Sequence, residues 1–332
     1  MTETAPLVQR VYAALADGAL HSGEQLAAAQ AVSRSAVWKA VGALQELGLE
    51  IEAATHRGYR LAQPVTPLDT AAIVTALAPA ARDRLRDGAA VWSLVSTNDA
   101  LLRRGDLLPG RFDFMAAEYQ TAGRGRRSRS WLAPPGGSLC LSVSWCYATL
   151  PTGAAALSLA VGVCALRALA ALGATGVQLK WPNDLQAGGH KLGGILIELR
   201  AESAGPAHVV IGIGINCALG GALRQRVQES GTEPTDLAAL GLPNCDRNRL
   251  AAALISEIVQ GAQAFERGGL APFAAEWGAA DALAGRVVTV SGSGEDFTGH
   301  ARGIDADGAL CVQGATGLRR FNSGEVTVRA QP

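Results

Sequence analysis

The segment Gly123-Arg124-Gly125-Arg126-Arg127-Ser128-Arg129-Ser130-Trp131 interleaves glycine with arginine. Glycine lets backbone N–H groups approach a ligand, and guanidinium forks match phosphate and carboxylate oxygens, so the pattern points to anion binding. Trp131 adds a ring that can pack over another ring or lid the site. Taken alone, the segment reads equally well as a solvated basic loop. A second segment, Lys180-Trp181-Pro182-Asn183-Asp184, offers a cation, an aromatic wall, a rigid bend, an amide and a carboxylate within one short span. Asp184 can hold a magnesium ion that bridges nucleotide phosphates. In isolation the same residues form an ordinary turn, with Asn and Asp capping their own backbone.

In Lys191-Leu192-Gly193-Gly194-Ile195-Leu196-Ile197-Glu198, a lysine precedes two glycines and an apolar strand. Backbone can approach a ligand closely there, and the ammonium can meet a carboxylate and an α-phosphate together. The plainer alternative is a surface lysine entering a strand. Gly212-Ile213-Gly214-Ile215-Asn216 begins like a dinucleotide fingerprint, but it lacks the third glycine and the downstream acid, which excludes a Rossmann site. It suits contact with adenine, or simple close packing. Ser96-Thr97-Asn98 can bind a polar head group, or cap a helix over Asp99–Arg104.

These segments need a scaffold. From about 68 to 283, strand-like stretches (Ala90–Val95, Phe114–Glu118, Ser138–Ser144, Val177–Trp181, Gly194–Leu199, His208–Ile213) alternate with Ala/Leu-rich helices at Ala154–Leu172 and Arg249–Arg267. That is a mixed α/β domain, with each motif at a strand end or in a loop. Before it, residues 1–62 show helical spacing at Leu7, Val8, Val11, Tyr12 and Leu15, and a capping box at Ser22 and Gln25. Ser33 is a good N-cap for a helix burying Val37, Val41 and Leu44, and Gly48 ends that helix. Ile51 to Leu61, turning at His56-Arg57-Gly58, reads as a hairpin. Three helices and a hairpin make a winged helix-turn-helix. Ala62-Gln63-Pro64-Val65-Thr66-Pro67 is a linker. After about 284, short segments (Val287–Val290, Leu310–Val312, Val326–Arg329) separated by Gly and Asp turns predict a small β-barrel that docks on the central domain. The expected boundaries are 1–66, 67–283 and 284–332.

Composition narrows the function classes. The chain has 332 residues, 48% hydrophobic and 17% charged with 40 glycines, which is globular rather than disordered material. No apolar run approaches the roughly 20 residues needed to cross a bilayer. MTETAPLVQR has early acids and no apolar core, so no signal peptide is expected and the location is expected to be cytoplasmic. Cys140, Cys146, Cys164, Cys217, Cys245 and Cys311 form no CxxC pair, and the histidines no HxxxH or HExxH spacing. The cysteines therefore read as small core residues rather than metal ligands or a disulfide framework. A net charge of zero requires any nucleic-acid binding to come from a local patch.

Together, in this order and spacing, Ser96-Thr97-Asn98, Gln120 with the Arg124–Trp131 loop, Lys180–Asp184, Lys191–Gly194 and Gly212–Asn216 resemble the biotin–protein ligases. The whole length is similar to the bifunctional ligase–repressor form found in bacteria. The pairing of loop and Lys-Trp-Pro-Asn-Asp segment is specific to that family and is missing from the related lipoate ligases. The resemblance implies an α+β multidomain fold: a winged helix, a ligase domain like that of class II aminoacyl-tRNA synthetases, and an SH3-like barrel. It implies that biotin's carboxylate attacks the α-phosphate of ATP, giving biotinyl-adenylate and pyrophosphate, after which a lysine of a biotin carboxyl carrier protein attacks the acyl group. Ser96, Thr97, Asn98, Gln120 and the Gly194 backbone would hold the biotin rings, while Arg124, Gly125 and Arg126 would fold over the adenylate. Lys191 would balance charge between carboxylate and phosphate, making Lys191 and Arg126 the expected catalytic residues. Arg129, Trp131, Lys180, Asn183, Asp184 and Asn216 would serve ATP, with Asn216 at the adenine and Asp184 at magnesium. The loop is expected to order only over ligand, since an acyl-adenylate needs protection from water. Ser128 stands where the family usually has a third glycine, which stiffens the loop but leaves the arginines in place.

Two other readings remain: a ligand-sensing transcription regulator with little ligase activity, and a lipoate-type acyl ligase. For DNA, Ser33, Arg34, Ser35, Lys39 and Gln45 are the expected contacts on the recognition helix. Against it, residues 1–62 set Arg10, Arg34, Lys39, Arg57 and Arg60 against Glu3, Asp17, Glu24, Glu46, Glu50 and Glu52, no local basic excess. Trp38 is an unusual groove residue and can instead pack on another domain. If the module operates, adenylate-dependent homodimerisation on a two-fold operator is the expected switch. Arg320 and Arg329 are further candidates to reach the nucleotide.

Overall fold

Ser22 Oγ accepts the Gln25 N–H at 3.0 Å while Gln25 Oε1 accepts the Ser22 N–H at 3.1 Å, so the capping box closes as the sequence requires. The structure, a computed structural model, describes residues 5–54, 57–105, 108–201, 205–229, 233–292, 294–323 and 327–330. Glu3, the turn residue His56 and Val326 lie outside the described residues.

Helices α1 (Leu7–Leu15), α2 (Gly23–Ala29) and α3 (Arg34–Glu46) pack Val11, Tyr12, Leu15, Leu26, Val37, Val41 and Leu44 into one core. Ser33 Oγ caps α3 through the Ala36 N–H at 3.2 Å, and Gly48 at φ +95° follows its end. Strands β1 (Ile51–Ala54) and β2 (Gly58–Leu61) form the wing. His21 joins it through two backbone bonds to Tyr59 at 2.9 Å. Gly58 is obligatory there, because a Cβ would strike the His21 carbonyl.

Past the linker come α4 (Thr70–Ala76), α5 (Pro79–Arg82), β3 (Leu85–Leu94), α6 (Thr97–Leu102), β4 (Phe112–Gln120) and β5 (Ser138–Tyr147). They are followed by α7 (Leu157–Ala171), β6 (Val177–Lys180), β7 (Asp184–Ala187), β8 (His190–Ala201), β9 (Ala207–Asn216), α8 (Gly221–Glu229), α9 (Arg247–Gly268) and α10 (Ala274–Ala279). The strands make one sheet in the order β3-β4-β5-β9-β8-β7-β6, parallel only between β3 and β4. Helices α7 and α9 cover one face and share their core with Phe112, Phe114, Val143 and Trp145. Together with the turn before it, α7 makes an 18-residue apolar stretch, Ala154–Ala171, long enough to cross a bilayer. The sequence reading passed over that run; in the fold it is a core helix. Asp184 to Ala187, read from sequence as lying in and after a turn, is a strand that closes a hairpin with β6.

Strands β10 (Val287–Gly292), β11 (Gly294–Ile304), β12 (Leu310–Gly314), β13 (Gly317–Phe321) and β14 (Thr327–Ala330) form a five-stranded antiparallel sheet in the order β13-β12-β11-β10-β14. Val288, Val290, Leu310 and Val312 belong to the same apolar core as the central domain, so this unit is docked as expected. Trp181 is the fastener. Rather than walling a ligand site, its ring is 2% exposed, and its Nε1–H donates to the Gly308 carbonyl at 3.0 Å.

The winged helix is fastened differently. Tyr12 from α1, Glu118 from β4 and Arg247 from α9 meet in the interior. Arg247 Nη2 lies 2.8 Å from Glu118 Oε2, 3.0 Å from the Tyr12 hydroxyl and 2.8 Å from the Thr66 carbonyl in the linker. Tyr12 donates to Glu118 at 3.0 Å, and Glu118 also accepts the Leu68 and Gly136 N–H groups. A buried ion pair gains little over an apolar core, but losing one partner strands the other charge at a cost of roughly 3–5 kcal/mol. Nearby, Trp92 of β3 stacks between Tyr12 and Tyr119 at 5.2 and 5.4 Å. It is Trp92, not Trp38, that joins the two domains; Trp38 is 65% exposed.

Candidate functional site

The motifs converge where β4, β7, β8 and β9 meet α6 and the arginine loop. Ser96 caps α6 by accepting the Asp99 N–H at 3.4 Å, which points Thr97 and Asn98 inward to 4% exposure each. Gln120, at the end of β4, accepts the Thr97 N–H at 2.8 Å and its hydroxyl at 3.1 Å. Asn98 Nδ2 donates to the Leu196 carbonyl at 3.2 Å and to Glu198 Oε2 at 2.7 Å. Ser142 Oγ stands 2.7 Å from Thr97 Oγ1 and 2.6 Å from Asn98 Oδ1. A Cβ at Gly212 would collide with the Asn98 amide, so that glycine makes room for the cluster. The result is a nearly buried set of donors and acceptors fixed by neighbours, a form suited to a neutral polar ring.

The arginine loop is folded on itself. Gly125 N–H donates to the Arg129 carbonyl at 2.7 Å, Trp131 N–H to the Gly123 carbonyl at 2.9 Å, and Arg127 takes the left-handed conformation at φ +56°. Arg124 pairs with Asp99 and, at 3.0 Å, with both Glu198 oxygens. Glu198 thus holds Arg124 and Asn98 together; sequence reasoning passed over it as a strand-end acid, and Asp99 as a helix residue. Arg126 bonds Asn183 Oδ1 at 3.2 Å and the Ser323 carbonyl, so the loop is pinned to the C-terminal unit as well. Trp131 lies over Gly214, where a Cβ would meet its ring at 2.5 Å. Its indole N–H is buried with no partner among the described residues.

The cationic half is compact. Lys191 Nζ bonds Asp184 Oδ1 at 2.7 Å, and register places Asp184 opposite both Lys180 and Gly194. Arg126 and Lys191 therefore meet on consecutive residues, Asn183 and Asp184. Asn183 is itself fixed by donating to the Ile195 carbonyl at 2.7 Å. Burial holds the Arg126 and Lys180 pKa values below their ordinary ranges; the charge of Arg127 adds to the effect at Arg126, and Asp184 opposes it at both. Asn216 is 6% exposed and donates to the Lys191 carbonyl at 3.3 Å and the Thr235 carbonyl at 3.0 Å, steadying the backbone that carries Lys191. Arg129 is exposed at the rim. Arg320 sits apart, paired with Asp305 and Asp307 inside the C-terminal unit.

Comparison with known proteins agrees with this geometry. Residues 107–216 match the biotin/lipoate A/B protein ligase family, 284–329 the biotin protein ligase C-terminal domain, and 9–60 a helix-turn-helix domain. The chain is 38% identical over 333 residues to the bifunctional ligase/repressor BirA of Escherichia coli K12, across 98% of each chain. The chain belongs to the biotin protein ligase family, in its bifunctional ligase/repressor form. Other members of the family include the bifunctional ligase/repressor of Bacillus subtilis, 28% identical over 92% of this chain and 93% of its own length. The fold matches the biotin protein ligase of Aquifex aeolicus in complex with biotin and ATP, at TM-score 0.61 and 23% identity, covering 74% of this chain and all of the other.

At the start of α3 and along it, Ser33, Arg34, Ser35 and Lys39 are exposed beside Trp38. Gln45, also exposed, donates to the Ile51 carbonyl in the wing at 3.2 Å.

Proposed function

We propose that the polar cluster and the cationic cluster are the two halves of one adenylation site. The chain is an ATP-dependent biotin–protein ligase with a helix-turn-helix repressor domain. Ser96, Thr97, Asn98, Gln120 and the Gly194 backbone hold biotin's rings. Arg124, Gly125 and Arg126 cover the intermediate. Lys191, steered by Asp184, lies where biotin's carboxylate meets the α-phosphate; two anions must approach, and fixed cations at that point lower the barrier. Arg129, Trp131, Lys180, Asn183 and Asn216 serve the nucleotide. The observation that carries this reading is the meeting of Arg126 and Lys191 on Asn183–Asp184, beside a neutral buried polar set.

Magnesium fits as a phosphate-bound ion. No group of three or more metal-ligating side chains occurs among the described residues, but one carboxylate suffices where phosphates and waters fill the other positions. Asp184 would be that carboxylate, and the ion would neutralise phosphate charge.

The acceptor is a lysine of a biotin carboxyl carrier protein, and the enzyme works in the cytoplasm. Purified protein with ATP and either biotin or lipoate, scored by mass on a carrier domain, tests this: a biotin adduct is expected, and a lipoyl adduct instead would overturn it. The N-terminal domain reads operator DNA through Ser33, Arg34, Ser35, Lys39 and Gln45 as a homodimer formed on adenylate binding. A gel-shift titration on the biotin-operon promoter, with and without biotin and ATP, should show ligand-dependent retardation. Equal retardation in both would remove the switch.

A further inference from the structure

A cavity of about 210 Å³ lies in the seam between the winged helix, its linker and the ligase domain, lined by Val65, Thr66, Gly136, Cys217, Cys245 and Arg247 among others. Cys217 directly follows Asn216 at the end of β9 and is 4% exposed; Cys245 is half-buried just before Asp246, the N-cap of α9. Both side chains line this cavity from the ligase-domain side and interact with each other there, while the Cys217 thiol donates to the Ile215 carbonyl at 3.7 Å. Neither takes part in the adenylation chemistry described above. The Arg247 guanidinium lies close enough to favour a thiolate at either sulfur, and its Nε–H is buried without a partner among the described residues. The two thiols are not equivalent. The neighbouring Cys217 thiol holds the Cys245 pKa below the ordinary thiol range, whereas that interaction and burial push Cys217 up.

We propose that Cys217 and Cys245 form a peroxide-oxidisable dithiol whose closure to a disulfide slows adenylation. The Cys245 thiolate attacks one oxygen of hydrogen peroxide, the O–O bond breaks, and the departing hydroxide takes a proton to leave as water. The Cys217 sulfur then attacks the resulting sulfenic acid. The S–O bond breaks, and a second water leaves with the Cys217 proton. Two thiols lose two electrons and one peroxide becomes two waters. The cavity has room for so small an oxidant, whose size is close to the roughly 30 Å³ share of a liquid water. Reversible closure of this kind is the usual use of a disulfide in a reducing compartment.

The effect on rate follows from what each cysteine is attached to. Cys217 N–H donates to the Gly137 carbonyl at 2.9 Å and its own carbonyl accepts from Ala238 at 3.0 Å. Asn216, one residue earlier, holds the Lys191 carbonyl. Drawing Cys217 toward α9 shifts that anchor, and small misplacements at a reacting centre are costly. This last step rests on the placement of Asn216 and Lys191 in the nucleotide half; formation of the bond does not.

The experiment uses the full-length protein treated with graded hydrogen peroxide. Non-reducing peptide mapping is followed by biotin-dependent ATP–pyrophosphate exchange, before and after dithiothreitol. The expected result is a Cys217–Cys245 linked peptide and a fall in exchange on the order of tenfold, both reversed by reductant and both absent in Cys245→Ser. Sulfinic acid without a linked peptide, a linked peptide with unchanged exchange, or an equal fall in Cys245→Ser would overturn the proposal. Cys217→Ser serves as the second variant, with circular dichroism to verify folding. Asn216→Ala assayed in reduced protein tests the nucleotide reading separately, since that measurement involves no disulfide.

Discussion

Two cation–carboxylate clusters sit in the same domain, and their surroundings divide the labour between them. Arg247 and Glu118 are 1% and 5% exposed at the side chain, and nearly every polar atom is met by the linker, by α1 or by β5. Lys191 and Asp184 are 25% and 24% exposed, joined by a single contact, with Arg126 reaching the neighbouring Asn183 and the Ser323 carbonyl. The first cluster has almost nothing left to offer a ligand, and its removal would leave a charge in the interior. The second is a quarter open to solvent and, in the role proposed above, can exchange its partner for a substrate anion. Saturation and burial mark a structural charge; half-exposure and provisional pairing mark a chemical one.

Substitutions sharpen that contrast. Glu118→Ala should cost about 3–5 kcal/mol of stability, because Arg247 is left buried without its carboxylate. Urea unfolding measures it, and a loss under 1 kcal/mol would mean the pair is hydrated after all. Lys191→Ala should do the reverse, keeping its melting temperature while adenylation falls roughly 10²–10³-fold, the usual cost of one charge-stabilising donor; pyrophosphate release at near wild-type rate would sink its role. Arg126→Gly removes the bonds to Asn183 and Ser323 and should release adenylate roughly thirtyfold faster, equivalent to about 2 kcal/mol. Labelling of bystander lysines reports the escape, and strict acceptor specificity would count against a covering role. Tyr12→Phe deletes one hydroxyl from the buried cluster and should cost about 1.5 kcal/mol, read as faster proteolysis at the linker. Trp38→Ala should change stability by less than about 0.5 kcal/mol in urea unfolding, because the ring is 65% exposed; a larger loss would mean that it packs on another surface.

The chemical cluster was far more legible in the sequence than the structural one. Lys191, Asp184, Asn183 and the arginine loop lie in short segments whose residue types announce anion chemistry before any fold is known. The capping box at Ser22 and the N-cap at Ser33 were equally plain, because their partners lie three residues away. Tyr12, Glu118 and Arg247 carry no local signature; only the folded chain brings α1, β4 and α9 together. Trp181 was misread for the same reason: within its motif it looks like a wall, and only the position of Gly308 shows it to be an anchor. The loop's folded state also depends on distant chain, since Ser323 lies in the C-terminal unit.

On β9, Gly212 yields its side-chain space to Asn98 and Gly214 yields its own to Trp131. In the adenylation site proposed above, one bare stretch of strand would serve as common floor for the vitamin end and the nucleotide end, and neither could be widened from below. Attempts to adapt the enzyme to bulkier biotin analogues should therefore leave this strand alone and carve at the walls, around Thr97, Gln120 and Ser142. A methyl group added to the floor would evict a wall residue before it met any substrate.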